Sequence, residues 1–105
     1  MSVIMTMWAK GDPDALERRA AEDPAEMRAI ADKAKEHGLI AHRFYGSEGQ
    51  IMVLDEWPDP ASFQAFWDEM APEIGPMMAD IGIQDEPAVT FWRKLDTRDD
   101  VGWEG

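Results

Sequence analysis

The spacing of hydrophobic residues along the chain predicts four β-strands. The segment Val3–Lys10 falls into two alternating sets of residues, one of them wholly apolar, with β-branched and aromatic types present, which is typical of a strand. Residues 39–45, 50–57 and 89–95 have a similar character. Residues 46–49 begin and end with glycine, so we expect them to be the turn of a hairpin between the second and third strands.

Three Asp-Pro pairs predict where helices begin. At residues 12–13, 23–24 and 59–60, the aspartate is suited to the N-cap and the proline to the first helical position. The first helix therefore starts at the first pair and is broken or restarted at the second, and Gly38 supplies the left-handed residue that ends it. Its second half carries an apolar stripe at helical spacing: Met27, Ile30, Ala31 and Ala34.

The helix that starts at the third pair has an unusually aromatic stripe. Pro72 and the dipeptide Gly75-Pro76 interrupt its pattern, and we expect a separate short helix after them, closed by Gly82. The stripe consists of Phe63, Phe66, Trp67 and Met70.

The order strand, helix, strand, strand, helix, strand predicts an α+β, ferredoxin-like βαββαβ domain with a four-stranded antiparallel sheet over residues 1–95. Residues 96–105 are polar and acidic, so we expect a loosely ordered C-terminal tail. Residues 51–54 are all apolar, whereas a sheet with one solvated face alternates. Because two helices cover only one face, we expect a homodimer packed through the sheet faces.

Composition narrows the range of partners and locations. The 105 residues include 22 acidic and 10 basic ones, a formal net charge of −12, and such a field repels nucleic acid and anionic membrane surfaces. No apolar stretch approaches the ~20 residues of a membrane span, and the N-terminus lacks the pattern of a secretion signal. We expect a cytoplasmic protein that binds neither nucleic acid nor membranes.

Several catalytic motifs are missing from the sequence. Cysteine is absent, which excludes thiolate nucleophiles and thiolate metal sites. The chain also has no glycine-rich phosphate loop, GxSxG or HExxH motif, so nucleotide hydrolysis, serine-hydrolase and zinc-peptidase chemistry have no support. We predict no metal site.

Candidate proton-transfer chemistry rests on two histidines, the residue type whose ordinary pKa lies nearest neutrality. His37 is at a predicted helix C-terminus, where a structural role is expected. His42 lies within the second strand. If the turn pairs Tyr45 with Gln50, Val53 is opposite His42 and Asp55 is its diagonal neighbour. Such a pair would suit a catalytic base oriented by a carboxylate; the alternative is a hydrogen-bonded histidine in an interface or core.

The other candidate residues lie on the second predicted strand and on the aromatic helix. Arg43 and Tyr45 share the face opposite His42 with Glu56; Arg43 either pairs with Glu56 or holds an anionic group of a ligand, while Tyr45 donates a hydrogen bond. The aromatic stripe and the methionines near it are either core or the wall of a cavity for a flat ligand. We predict substrate contacts for Arg43, Tyr45, Phe63, Phe66, Trp67 and Met70.

The segment GLIAHRFYGSEGQIMVLDEWPDPASFQAFW resembles the central part of the dimeric α/β-barrel superfamily, and most closely its antibiotic-biosynthesis monooxygenase type. The resemblance is carried by Gly38, the hairpin, the strand end Glu56-Trp57 and the proline-capped aromatic helix. It implies a dimer through the sheets and a ligand between each sheet and its own helices. Activities in this superfamily include cofactor-free oxidation of quinols and polyphenols, haem degradation, isomerisation and cyclisation, so the fold does not choose the reaction.

One departure from the resembled family bears on cofactors. Relatives that bind haem, and many monooxygenase-type members, carry a histidine on the helix after the Glu-Trp strand end. Here that helix reads FQAFW over residues 63–67 and has no histidine, so we predict no haem and no other cofactor.

Two functional hypotheses follow. The first is a cofactor-independent monooxygenase acting on a small aromatic ligand of the quinol type, with His42 as base, oriented by Asp55. The second is a non-catalytic ligand-binding or accessory homodimer whose core side chains fill the same space. A cavity near the ~300 Å³ of ligand pockets, beside His42 or Arg43, would favour the enzyme.

Overall fold

A computed structural model of the chain describes residues 1–103. The elements in chain order are β1 (Val3–Lys10), α1 (Pro13–Glu22), α2 (Pro24–Glu36), β2 (Ala41–Ser47), β3 (Gln50–Trp57), α3 (Pro60–Asp80) and β4 (Ala88–Trp92). The strands form one antiparallel sheet in the order β2-β3-β1-β4. This arrangement confirms the predicted ferredoxin-like fold.

Aspartate caps begin each helix as the Asp-Pro pairs predicted. The side chain of Asp12 accepts a hydrogen bond from the N–H of Asp14, and that of Asp23 accepts one from the N–H of Glu26. Asp23 ends α1 as well as beginning α2, which confirms the predicted break. Gly38 follows with φ +103°, the left-handed conformation expected after the C-terminus of α2.

The predicted interruption of the third helix is wrong, because α3 continues through Pro72 and Pro76 to Asp80. Both prolines lie on its exposed side. Each costs a helix interior about 3 kcal/mol, but each large apolar side chain buried on the other side stabilises the fold by about 1.5–3 kcal/mol. The packing of that side therefore outweighs the prolines. Its buried residues are Phe63, Phe66, Met70, Ile74 and Met77.

The hairpin is present, but its turn is shorter than expected. β2 extends to Ser47, which pairs with Gln50, so residues 48 and 49 alone form the turn. Gly49 has φ +72°, which glycine adopts without strain. The predicted pairing of Tyr45 with Gln50 is thus wrong by two residues, and Tyr45 lies opposite Met52.

The last strand also ends earlier than expected, at Trp92 rather than residue 95. Residues 93–103 contain neither helix nor strand and are exposed. An ion pair of 2.9 Å joins Lys94 to Asp100 within this segment. Residues 104 and 105 of the predicted tail lie outside the described residues.

The two faces of the sheet have different surroundings. The inner face packs against α2 and α3 in the main core, where Met5 and Trp57 are fully buried. The outer face carries the alternate residues of each strand, and Trp8, Tyr45 and Trp92 are exposed on it. Within residues 1–103 no helix is both long and apolar enough to span a membrane.

Candidate functional site

His42 and Asp55 form a hydrogen-bonded pair on the inner face of the sheet. They lie directly opposite each other on β2 and β3, and the two-residue shift in register makes them nearest neighbours instead of diagonal ones. Nδ1 of His42 is 2.7 Å from Oδ1 of Asp55. The carboxylate is buried, with its side chain 7% exposed, whereas the imidazole is 32% exposed. The pair therefore lies at the boundary between core and solvent.

Trp57 holds the second oxygen of this carboxylate. Its indole N–H donates to Oδ2 of Asp55 at 3.1 Å, so both oxygens of the buried group have a hydrogen-bond partner. A carboxylate only accepts hydrogen bonds, so Nδ1 of His42 carries the proton when Asp55 is ionised. In the neutral imidazole, Nε2 is then the atom with a free lone pair.

The ring of His42 is further positioned by Phe44, two residues along β2. The two rings meet edge to face with centroids 5.0 Å apart, a preferred geometry for aromatic pairs. Within residues 1–103, Nε2 has no hydrogen-bond partner from the protein. This combination of an anchored Nδ1 and a free Nε2 is what a general base requires.

A cavity of about 100 Å³ lies between the inner sheet face and the helices. In the described part of the chain, its only titratable lining residues are His42 and Asp55. The remainder of the wall is apolar and contains three of the predicted contact residues, Phe63, Phe66 and Trp67. The arrangement can take an apolar ring and place one polar group of it near the imidazole.

Three other predicted contact residues do not line this cavity. Met70 is buried in the core cluster beside it. Arg43 and Tyr45 lie on the outer face of the sheet, where the guanidinium is 5.9 Å from the tyrosine ring centroid. The structure therefore separates Arg43 and Tyr45 from His42 by the thickness of the sheet, and the three residues of one chain do not meet around one ligand.

The alternative ion pair of Arg43 is not formed among residues 1–103 either. Glu56 accepts a hydrogen bond from the hydroxyl of Ser2, and Arg43 has no carboxylate within ion-pair distance.

Sequence reasoning missed the contribution of the first strand to the cavity. Met5 and Met7 of β1 line it together with Val53 of β3. The signal was present, since residues 3, 5, 7 and 9 form the wholly apolar set of the alternating strand. The predicted set of apolar contacts, drawn from the aromatic helix alone, was incomplete because a sheet-to-helix cavity has two walls.

His37 joins two helices. It caps α2, and its Nε2 is 3.1 Å from Oε1 of Glu69 on α3. Hydrogen bonds from His37 and then from Lys33 hold the pKa of Glu69 below its ordinary value. The ring edge of His37 also packs against Phe66, with centroids 6.2 Å apart. These contacts agree with the structural role expected for it.

Side chains that could bind a metal ion are not clustered in the described part of the chain. Residues 1–103 contain no group of three or more histidine, aspartate or glutamate side chains placed to hold a metal ion.

Several solved structures of other proteins have the same fold as this chain. No family model and no curated protein matches the chain. A conserved protein from Methanosarcina mazei matches with a TM-score of 0.64 and 16% identity, over 90% of this chain and 94% of that one. An antibiotic biosynthesis monooxygenase from Deinococcus radiodurans, described as putative, matches with a TM-score of 0.63 and 11% identity, over 95% and 99%. The chain has the fold of the antibiotic biosynthesis monooxygenases.

A third similar structure is that of SnoaB, a cofactor-independent oxygenase from Streptomyces nogalater. It matches with a TM-score of 0.62 and 11% identity, over 94% of this chain and 98% of that one. The predicted resemblance is thereby confirmed at the level of the fold. Identities this low carry no residue roles from those proteins to this chain.

Proposed function

We propose that the chain is a cofactor-independent, monooxygenase-like protein that acts on a small aromatic ligand of the phenol or quinol type. The observation that carries this proposal is the His42–Asp55 pair, an anchored imidazole with a free Nε2 that lines an apolar cavity. The fold shared with SnoaB, a cofactor-independent oxygenase, supports it.

His42 acts as the base in the proposed reaction. Nε2 takes the proton of a phenolic O–H, while Asp55 stabilises the imidazolium that forms. The electron-rich phenolate passes one electron to O₂, and the two radicals combine into a ring C–O bond. The resulting peroxide is protonated by the imidazolium and then loses water, as the ring C–H proton leaves and the O–O bond breaks. The sum is C₆H₆O + O₂ → C₆H₄O₂ + H₂O for the simplest phenol, which supplies all the electrons.

The second part of the proposal is a homodimer in which two outer sheet faces pack together. Its support is the set of large side chains on a face that no helix of residues 1–103 covers, among them Trp8, Tyr45 and Trp92. Exposed apolar patches of this kind are typical of protein interfaces. In such a dimer Arg43 and Tyr45 are interface residues, not ligand contacts.

The size of the cavity favours a second candidate function. About 100 Å³ is less than the ~300 Å³ at the lower end of ligand pockets. An accessory dimer of the same fold, with core side chains filling the space, fits this volume, and so does a dimer that binds a ligand of one ring without oxidising it.

Oxygen consumption separates the two candidates. Purified protein is supplied with a panel of phenols and quinols in an oxygen-electrode cell, beside His42→Phe and the matched variant His37→Phe. We expect uptake above the uncatalysed rate for the unchanged protein and His37→Phe, and a fall of about 10²-fold or more for His42→Phe, the usual range for a general base. Thermal unfolding of all three proteins is measured alongside. Loss of stability in His42→Phe with unchanged uptake would overturn the catalytic role and leave His42 as a structural residue.

A further inference from the structure

The volume of the cavity limits a ligand to one aromatic ring. An apolar cavity of about 150 Å³ in another protein is known to hold benzene, and the volume here is about 100 Å³. A single ring therefore requires side-chain adjustments, and two fused rings require a larger displacement of a wall. Close-packed interiors resist such displacement.

Aromatic rings on the helix side of the cavity pack against one another and against Trp57 of β3. Phe63 stacks on Trp67 with centroids 6.1 Å apart and an interplanar angle of 22°. Phe63 also meets Trp57 edge to face at 5.7 Å. Phe63 and Trp57 are buried, whereas Trp67 is half-buried. Of the three aromatic residues of α3 that line the cavity, Phe63, Phe66 and Trp67, Trp67 is thus the least buried and the one whose loss disturbs the core least.

Charge sets a second limit on the ligand. The cavity lining described above includes no lysine or arginine, and its buried carboxylate, Asp55, already has two hydrogen-bond donors. A ligand carboxylate in this place would be desolvated beside a like charge without a cation to balance it. The one arginine that the sequence suggested for this purpose, Arg43, lies across the sheet.

We propose that the cavity selects neutral single-ring phenols over fused-ring phenols and over phenols that carry a carboxylate, and that Trp67 sets the size limit. This inference rests on the proposed function, because it takes the His42 side of the cavity to receive the phenolic hydroxyl.

Binding by isothermal titration calorimetry to the full chain tests the selection. The probes are 4-methylphenol, 4-hydroxybenzoate and 2-naphthol, which differ in charge and ring number. We expect 4-methylphenol to bind the unchanged protein at least about tenfold more tightly than the other two, a difference that calorimetry resolves. Equal or tighter binding of 4-hydroxybenzoate or 2-naphthol would overturn the inference, and so would absence of binding by 4-methylphenol.

Two variants test the size limit. Trp67→Ala should gain affinity for 2-naphthol by about tenfold while still discriminating against 4-hydroxybenzoate. Trp103→Ala removes the same side chain from the exposed segment after β4 and should leave all three affinities unchanged. If Trp67→Ala does not fold, Trp67→Leu provides a smaller enlargement. Unchanged exclusion of 2-naphthol by a folded Trp67 variant would contradict the role of Trp67.

The outcomes distinguish this inference from the proposed oxidation. Selective binding of 4-methylphenol without oxygen consumption would contradict the proposed oxygenase activity and support the proposed ligand selectivity. Faster oxygen consumption with fused-ring quinols than with single-ring ones would contradict the selectivity and support the oxygenase activity.

Discussion

The indole N–H of Trp57 donates a hydrogen bond to Oδ2 of Asp55 at 3.1 Å, from two positions further along the same face of β3. Trp57 is fully buried and Asp55 nearly so. A side chain usually regarded as core packing thus also satisfies the carboxylate that holds His42. The buried part of the candidate site is therefore on the third strand, and the imidazole on β2 is the part nearest to solvent.

Trp57→Phe tests this contact. Phenylalanine keeps an aromatic ring in the core but removes the donor, so Oδ2 of Asp55 is left buried with one partner fewer. We expect the free energy of unfolding to fall by about 1–3 kcal/mol from the unmade hydrogen bond, with some further loss from the smaller ring, as measured by urea denaturation.

Trp92→Phe is the matched control for that variant. Its indole N–H donates to the hydroxyl of Thr6 at 2.8 Å on the outer face of the sheet. The acceptor there is a neutral hydroxyl that can turn to another partner, not a buried carboxylate, so the loss should be smaller than for Trp57→Phe. If both variants lose the same free energy of unfolding, the Trp57–Asp55 hydrogen bond contributes no more to stability than the one on the outer face.

Pro72→Ala is expected to stabilise the protein. Proline at this exposed interior position of α3 denies the helix one N–H donor and crowds the preceding turn. Alanine restores the helix hydrogen bond, and we expect the free energy of unfolding to rise by about 1–3 kcal/mol, measured by urea denaturation. Pro60→Ala is the control, since proline at the first helical turn displaces no hydrogen bond and its replacement should change stability little. An unchanged or lower free energy of unfolding for Pro72→Ala would show that the proline carries no cost at this position.

The cap of α3 makes part of the stability depend on pH. The backbone N–H and hydroxyl of Ser62 donate to Asp59 at 2.8 and 2.9 Å, and they hold the pKa of its carboxyl below the ordinary 3.8. Because the pKa is lower in the folded state, this contribution is complete above about pH 3.8 and is lost as the pH falls through the folded value.

Asp59→Ser should therefore destabilise the protein more at pH 6 than at pH 3, with urea midpoints as the measurement. Ser62→Ala removes the hydroxyl donor and keeps the backbone one, so its pH-dependent loss should be smaller. A difference between Asp59→Ser and the unchanged protein that is constant from pH 6 to pH 3 would rule out the cap as the origin of the effect.

The proposed dimer predicts that a charge on the outer sheet face changes the mass in solution. Trp92→Glu buries a carboxylate in the sheet-to-sheet interface, where an unpaired charge is costly, and should convert the dimer to a monomer in light scattering at micromolar concentration. Trp103→Glu, on the exposed segment after β4, should leave the mass at that of a dimer. A monomer mass for the unchanged protein would defeat the proposal.

Local signals predicted most of the fold. The cap residues Asp12, Asp23 and Asp59 act within a few residues of themselves, and each begins its helix where the sequence indicated. The continuity of α3 could not be predicted in this way. It depends on what packs against the side opposite Pro72, which is a property of the assembled core.

The candidate site was only partly predictable for the same reason. The inner-face position of His42 and Asp55 follows from alternation along each strand, but their direct pairing depends on the turn, whose length the glycines at 46 and 49 left open. Assigning Arg43 to the ligand followed its chemistry, although alternation had already placed it on the other face. The cavity volume is set by side chains from several elements, including Met7 and Trp67, and no local pattern encodes it.

The two-residue turn at positions 48 and 49 has a consequence for how this chain can vary in length. A change that moves the pairing of β2 by one residue carries His42 to the outer face and brings Arg43 against the apolar cavity, because neighbouring side chains point to opposite faces. A change of two residues preserves the faces. Relatives that keep the imidazole in the cavity should therefore take up a single-residue insertion within the turn or in a bulge, and not by moving the pairing of the two strands.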